Sequence, residues 1–161
     1  MAASFSGTAG PLPTCQIAVV VSRYNDSITD KLLAGALETL AAAGVGDANI
    51  LVARVPGAWE LPLITAEFLR RKSVGAAIAL GAVIRGETTH DEHINRAVSL
   101  ALMNLGLETS KPVAFGLLTC NTVEQAIHRS GGNVGNKGIE SAEAVLEVLR
   151  LQHQWSQKEP S

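Results

Sequence analysis

Four short apolar runs recur along this chain, and each is followed by a stretch with helical periodicity. The runs are "QIAVVVS" (16–22), "NILVARV" (49–55), "GAAIALGAVI" (75–84) and "PVAFGLL" (112–118). The first is continuous and β-branched and reads as a strand covered on both faces; the other three read as strands. In the first intervening stretch, Ile28, Leu32, Leu33, Ala36, Leu37 and Leu40 fall on one helical face, with Asp26 or Ser27 placed to cap its start and Gly44 its end. Helices are predicted likewise over "LPLITAEFLRRK", "DEHINRAVSLALMNLGL", "TVEQAIHRSG" and "GIESAEAVLEVLRLQHQW". This alternation predicts an α/β three-layer sandwich, a four-stranded parallel sheet with helices on both faces. A length of 161 residues suits a single domain. Its bounds are expected at 15–155, between a Gly/Pro/Ser-rich leader (1–14) and a short tail (156–161).

In such sheets ligands bind beyond the carboxyl ends of the strands, where the chain turns into each following helix. Here those turns read Ser22-Arg23-Tyr24-Asn25, Val55-Pro56-Gly57-Ala58-Trp59-Glu60, Ile84-Arg85-Gly86-Glu87-Thr88-Thr89-His90 and Leu118-Thr119-Cys120-Asn121. Aromatic residues are only 4% of the chain, yet Tyr24 and Trp59 occupy two of the turns. Two readings stand: rings that stack a planar heterocycle, or hydrophobes that cover the sheet edge. Gly86 lets backbone amides approach a ligand, Thr88 and Thr89 add hydroxyls, and the helix start that follows suits a phosphate or serves simply as a cap. Arg129 and Lys137, in the glycine-rich "HRSGGNVGNKG", are either a second pair of anion contacts or solvated charges. His90 opens a helix and is placed to act as acid or base. His90 and His93 are three residues apart, but no further ligand is indicated and HExxH is absent, so no metal is expected. Lys137 is followed by Gly138, so the string is not a Walker loop.

Charge excludes other function classes. Fifteen acidic residues against 13 basic, with no basic run, leave no surface for nucleic acid or an anionic membrane. Cys15 and Cys120 form no CxxC or Cys/His pattern, which fits a reducing cytoplasm. The first residues lack a basic start followed by an apolar stretch, and the sequon at Asn25 is therefore expected to stay unmodified. Charged residues are only 17% of the chain, where about a quarter is usual. On "DEHINRAVSLALMNLGL" the apolar stripe of Ile94, Val98, Ala101, Leu102 and Leu105 is widened by Ala97, Leu100, Met103 and Leu107. That is more than one sheet contact buries, so a homo-oligomer is expected.

The motifs "SRYNDSITDKLLAGALETL", "VPGAWELP", "GAVIRGETTH", "FGLLTCNTVEQAIHRSG" and "GNKG", in this order and spacing, resemble the 6,7-dimethyl-8-ribityllumazine synthase family over about residues 16–150. The resemblance implies a flavodoxin-like fold and the penultimate step of riboflavin biosynthesis. There 5-amino-6-(D-ribitylamino)uracil condenses with 3,4-dihydroxy-2-butanone 4-phosphate, releasing phosphate and water, with no metal or organic cofactor. It implies that Tyr24 and Trp59, where phenylalanine is usual, stack the pyrimidine. Asn25, Ala58, Glu60 and the backbone of Ala82, Val83 and Ile84 would contact the pyrimidine or its ribityl chain, as would Lys137. Glu87, Thr88 and Arg129 would hold the phosphate ester, and His90 would transfer protons.

Phe115 matches an aromatic contributed across a subunit interface, which implies sites shared by adjacent chains of a pentamer. The compact "GGNVGNKG" further implies closure of pentamers into a sixty-subunit shell, with the leader around Phe5 added as a strand to a neighbour's sheet. Three positions depart from the family pattern. Asp91-Glu92-His93 replaces an aromatic-acid-aromatic run, Asn121 stands where an acid is common, and Asn133 where a second loop lysine is common.

Overall fold

The computed structural model describes residues 1–158; the end of the predicted tail, 159–161, lies outside the described residues. The strands are β1 (Gln16–Ser22), β2 (Ile50–Val55), β3 (Val74–Ile84) and β4 (Val113–Cys120), joined by α1 (Asp26–Ala42), α2 (Leu61–Leu69) and α3 (His90–Thr109). After β4 come α4 (Val123–His128), the short strands β5 (Ser130–Gly132) and β6 (Gly135–Asn136), and α5 (Lys137–Ser156). The main sheet runs β2-β1-β3-β4, every pairing parallel. This is the predicted α/β, flavodoxin-like arrangement.

Burial explains the continuous apolar runs. Ile17 to Ser22 of β1 are all buried, with Ile17, Val19 and Val21 facing the cluster of α1 and α5 and Val20 facing α2 and α3. Glycine allows the closest helix contact: a Cβ at Gly138 would stand 1.9 Å from the Leu32 carbonyl oxygen, so α5 meets α1 backbone to backbone. The leader forms no strand. It lies on the last turns of α5 in the same chain, with the Phe5 and Trp155 ring centroids 5.3 Å apart and Gln154 Nε2 donating to Ser6 O at 2.6 Å.

Three local expectations need correction. Neither Asp26 nor Ser27 caps α1; its N-cap is Asn25, in the left-handed region with φ 62°, and no side-chain cap bond forms. Gly44 does end the helix as predicted, at φ 87°, with Gly44 N bonded to Ala41 O and Val45 N to Leu40 O. The helix expected over 61–72 stops at Leu69, because Lys111 Nζ reaches across from the start of β4 to take the carbonyls of Leu69 (2.6 Å) and Arg71 (3.0 Å). The helix expected over 122–131 stops at His128, since Gly131 has φ 114° and the chain turns into the β5–β6 hairpin.

Candidate active site

The strand order reverses between β1 and β3, where a ligand crevice is expected in an open parallel sheet. Pairing of β1 with β3 ends at Val21 opposite Leu80, while β3 continues to Ile84. The Ala82 carbonyl therefore has no β1 amide to accept from. Asn25 Nδ2 donates to it instead, at 2.9 Å. That bond spends the Asn25 side chain on fastening the exit of β1 to the end of β3, which is why it caps nothing in α1.

The neighbouring exit of β2 is built around Gly57. Its N–H donates to Glu60 Oε2 at 2.9 Å, which closes the turn carrying Ala58 and Trp59. A Cβ at Gly57 would come within 2.7 Å of the Tyr24 ring, so this glycine lets the ring lie directly on the turn. Tyr24 N in turn donates to Pro56 O at 3.0 Å. Tyr24 is 68% exposed and Trp59 61%, whereas Ala58 beneath them is buried. Rings so open do not cover the sheet edge in the single chain.

Beyond β3, Arg85 N donates to Cys120 O at 2.8 Å, and the next four residues, Gly86 to Thr89, are exposed. Open space surrounds the missing Cβ of Gly86. Glu87 and Thr88 sit on this turn, and His90, exposed, is the first residue of α3, its N–H 3.4 Å from Thr88 Oγ1. Tyr24, Asn25, Ala58, Trp59, Glu60, Ala82, Val83, Ile84, Glu87, Thr88 and His90 thus share the carboxyl edge of β1, β2 and β3.

Arg129, Lys137 and Phe115 form a separate group. They line a groove of about 430 Å³ between β4, α4 and the start of α5, together with Thr119, Cys120 and Gln125. Tyr24, Trp59 and His90 do not line it. Lys137 Nζ pairs with Glu140 Oε2 at 3.1 Å, but both side chains are about half exposed, so the pair is weak and easily exchanged for a ligand anion. Among the described residues Arg129 has no carboxylate partner. Burial pushes the Cys120 thiol up, with the charge of Arg129 acting in the opposite sense, so Cys120 offers the groove a neutral thiol near pH 7. A larger groove of about 510 Å³ runs along the other half of β4 between α3 and α5, and Phe115 forms a wall of both. Its lining is chiefly apolar, and its one cation, Lys111, is engaged with the end of α2. Of the two grooves, the smaller therefore offers the charged side chains suited to an anion.

Two contributors were not singled out from the sequence. Gln125 Oε1 accepts from Asn121 N at 2.8 Å while Thr122 Oγ1 accepts from Gln125 N at 3.2 Å, fixing the start of the helix that ends just before Arg129; the spacing T-x-x-Q is a readable capping signal. Asn136 is the N-cap of α5, a role an Asn directly before a helix announces. No group of three or more His, Cys, Asp or Glu disposed to hold a metal occurs among the described residues. None of their helices is long and apolar enough to cross a membrane.

The motifs at these strand exits have close counterparts. A family profile described as 6,7-dimethyl-8-ribityllumazine synthase matches residues 14–153. The 6,7-dimethyl-8-ribityllumazine synthase of Rhodopirellula baltica is 55% identical over 149 residues, covering 92% of this chain and 96% of its own. The protein of the same name from Thermus thermophilus is 46% identical over 147 residues, covering 89% and 94%. By profile and by identity along nearly its whole length, the chain belongs to the 6,7-dimethyl-8-ribityllumazine synthase family, transferases of riboflavin biosynthesis.

Proposed function

We propose that this protein condenses 5-amino-6-(D-ribitylamino)uracil with 3,4-dihydroxy-2-butanone 4-phosphate to give 6,7-dimethyl-8-ribityllumazine. The observation that carries the reading is the 55% identity across nearly all of both chains, in a protein whose "VPGAWELP" and "GAVIRGETTH" stand at the exits of β2 and β3, on either side of β1. The pyrimidine stacks on Tyr24 and Trp59, whose exposed rings are free to take it. Asn25, Ala58, Glu60 and the Ala82–Ile84 backbone orient it and its ribityl chain, with Lys137 as a further contact. Glu87, Thr88 and Arg129 hold the phosphate ester.

The chemistry follows from orientation and proton movement. The 5-amino group adds to the ketone and water leaves, forming an imine. A proton is lost from the adjacent hydroxyl-bearing carbon and phosphate departs from the next, giving an enol. The enol tautomerises to a ketone, the ribityl-bearing nitrogen attacks it, and loss of a second water closes the ring. His90 exchanges protons in this sequence; the anion contacts stabilise the leaving phosphate. Such steps ask for positioning and acid–base help and need no resident metal or organic cofactor.

The two groups of residues belong, in this reading, to one site assembled from adjacent chains. Phe115, Arg129 and Lys137 come from one chain and the β1–β3 edge from its neighbour. Leu100, Met103 and Leu107, each more than 60% exposed on α3, and the grooves along the free edge of β4 support an assembly that covers them. The assembly is a pentamer, closing into a sixty-subunit shell in which the leader leaves α5 to extend a neighbour's sheet, and it works in the cytoplasm. A steady-state assay with both substrates tests the activity: equimolar phosphate and lumazine are expected, and absence of either product refutes it. Light scattering tests the assembly, where a lone pentamer refutes the shell and an active monomer refutes the shared site.

A further inference from the structure

We infer that Asn136 is a positioning residue for the phosphorylated substrate, and that its amide sets where Arg129 and Lys137 stand. The inference rests on the reading of their groove as the phosphate clamp. Arg129 and Lys137 meet at the base of the β5–β6 hairpin, where Lys137 N donates to Arg129 O at 2.9 Å and Ser130 pairs with Asn136. The hairpin is short, three residues against two, and its Gly131–Gly135 segment is exposed, so its own ladder does little to fix the two cations against the rest of the fold.

Asn136 supplies that fixing from both ends of its amide. Oδ1 accepts from Gly138 N at 2.8 Å and Ile139 N at 3.3 Å, capping α5. Nδ2 donates to the Lys31 carbonyl of α1 at 3.0 Å. Gly35, one turn further along α1, makes room for it: a Cβ there would stand 2.8 to 2.9 Å from the amide atoms. A single side chain thus ties the hairpin base to two helices. Held cations bind an anion without first being ordered, and small misplacements at such a clamp are costly.

The geometry also supplies a variant outside the groove. Gly35 lies in the interior of α1, where alanine favours the helix, but its methyl group would push on the Asn136 amide. Asn136→Asp keeps the capping oxygen and removes the donor to Lys31. Both variants, with Arg129→Ala as reference, are to be assayed for KM of each substrate and kcat, with inorganic phosphate as a competitive probe and circular dichroism as the check on folding. The expected result is that Arg129→Ala raises KM for the phosphorylated ketone selectively. Asn136→Asp and Gly35→Ala should do the same by about three- to tenfold and weaken phosphate inhibition in proportion, with a smaller rise in pyrimidine KM through the Lys137 contact and kcat little changed. Should Arg129→Ala act selectively while both other variants bind ketone and phosphate normally, the inference falls and the clamp stands. An Arg129→Ala variant with no selective effect removes the clamp itself, and the inference with it. Parallel losses in kcat and both KM values would make Asn136 merely structural and overturn the proposal. If Asn136→Asp fails to fold, Gly35→Ala alone decides.

Discussion

Asn25 performs two tasks that substitution can separate. It holds φ at 62°, and its amide donates to Ala82 O at 2.9 Å in a partly buried setting. Loss of the hydrogen bond, which leaves the Ala82 carbonyl without its donor, costs about 1–2 kcal/mol. An alanine in the left-handed region adds about 1 kcal/mol relative to asparagine, whose short side chain tolerates it. Asn25→Ala is therefore expected to lose about 2–3 kcal/mol. Asn25→Asp tolerates the backbone but has no donor, and loses about 1–2 kcal/mol. Asn25→Gly accepts the backbone freely yet adds unfolded-state entropy, so it falls between the two. For a chain of this size each kcal/mol moves Tm by about 2–4 °C, which places the alanine variant about 4–12 °C below the parent. Thermal unfolding at fixed protein concentration reads the order. An alanine variant no worse than the aspartate one refutes the cost assigned to the positive φ, and an aspartate variant as stable as the parent refutes the hydrogen bond. Because the same bond fastens the β1 exit to β3, all three should also raise KM for the pyrimidine; an unchanged value would detach Asn25 from the site.

His90→Ala should slow turnover by about 10²–10⁴-fold with pyrimidine binding nearly intact, as read by single-turnover kinetics and equilibrium titration; an unchanged turnover number removes His90 from the chemistry. Lys111→Met keeps the apolar stem but loses the two donations to the end of α2, and should lower stability by about 1–2 kcal/mol in thermal unfolding; no shift would mean water replaces the ammonium at no cost. Gly138→Ala has no room beside the Leu32 carbonyl, so α5 must move off α1, and loss of at least about 3 kcal/mol or of soluble protein is expected; normal stability would contradict the backbone contact.

The layered fold was legible because its signals are strong and local. A fully buried strand such as β1 must be apolar throughout, while α1 must repeat at helical spacing, and the two patterns do not mimic each other. The β5–β6 hairpin escaped because strands of three and two residues are too short for any period; only Gly131 and Gly135, both at positive φ, punctuate it. The bonds that organise the site were hidden for another reason. Asn25 reaches 57 residues along the chain to Ala82, and Asn136 reaches 105 back to Lys31. No local pattern encodes such partners. Likewise the separation of Phe115, Arg129 and Lys137 from the β1–β3 edge depends on β4 being the outer strand, which sheet order decides and the motifs alone do not.

That separation is the basis of the proposed two-chain site, and hybrid assemblies test it most directly. Co-expression of a His90→Ala chain with an Arg129→Ala/Lys137→Ala chain mixes two defects that lie in different halves. If each site joins the β1–β3 edge of one chain to the β4 groove of its neighbour, random mixing in equal amounts leaves about a quarter of the sites with both halves intact. Recovery of about that fraction of wild-type activity is expected, measured at low ketone phosphate where each parent assembly is nearly silent. Hybrids no more active than the two parents would contradict it, and would place all the groups of one site within a single chain.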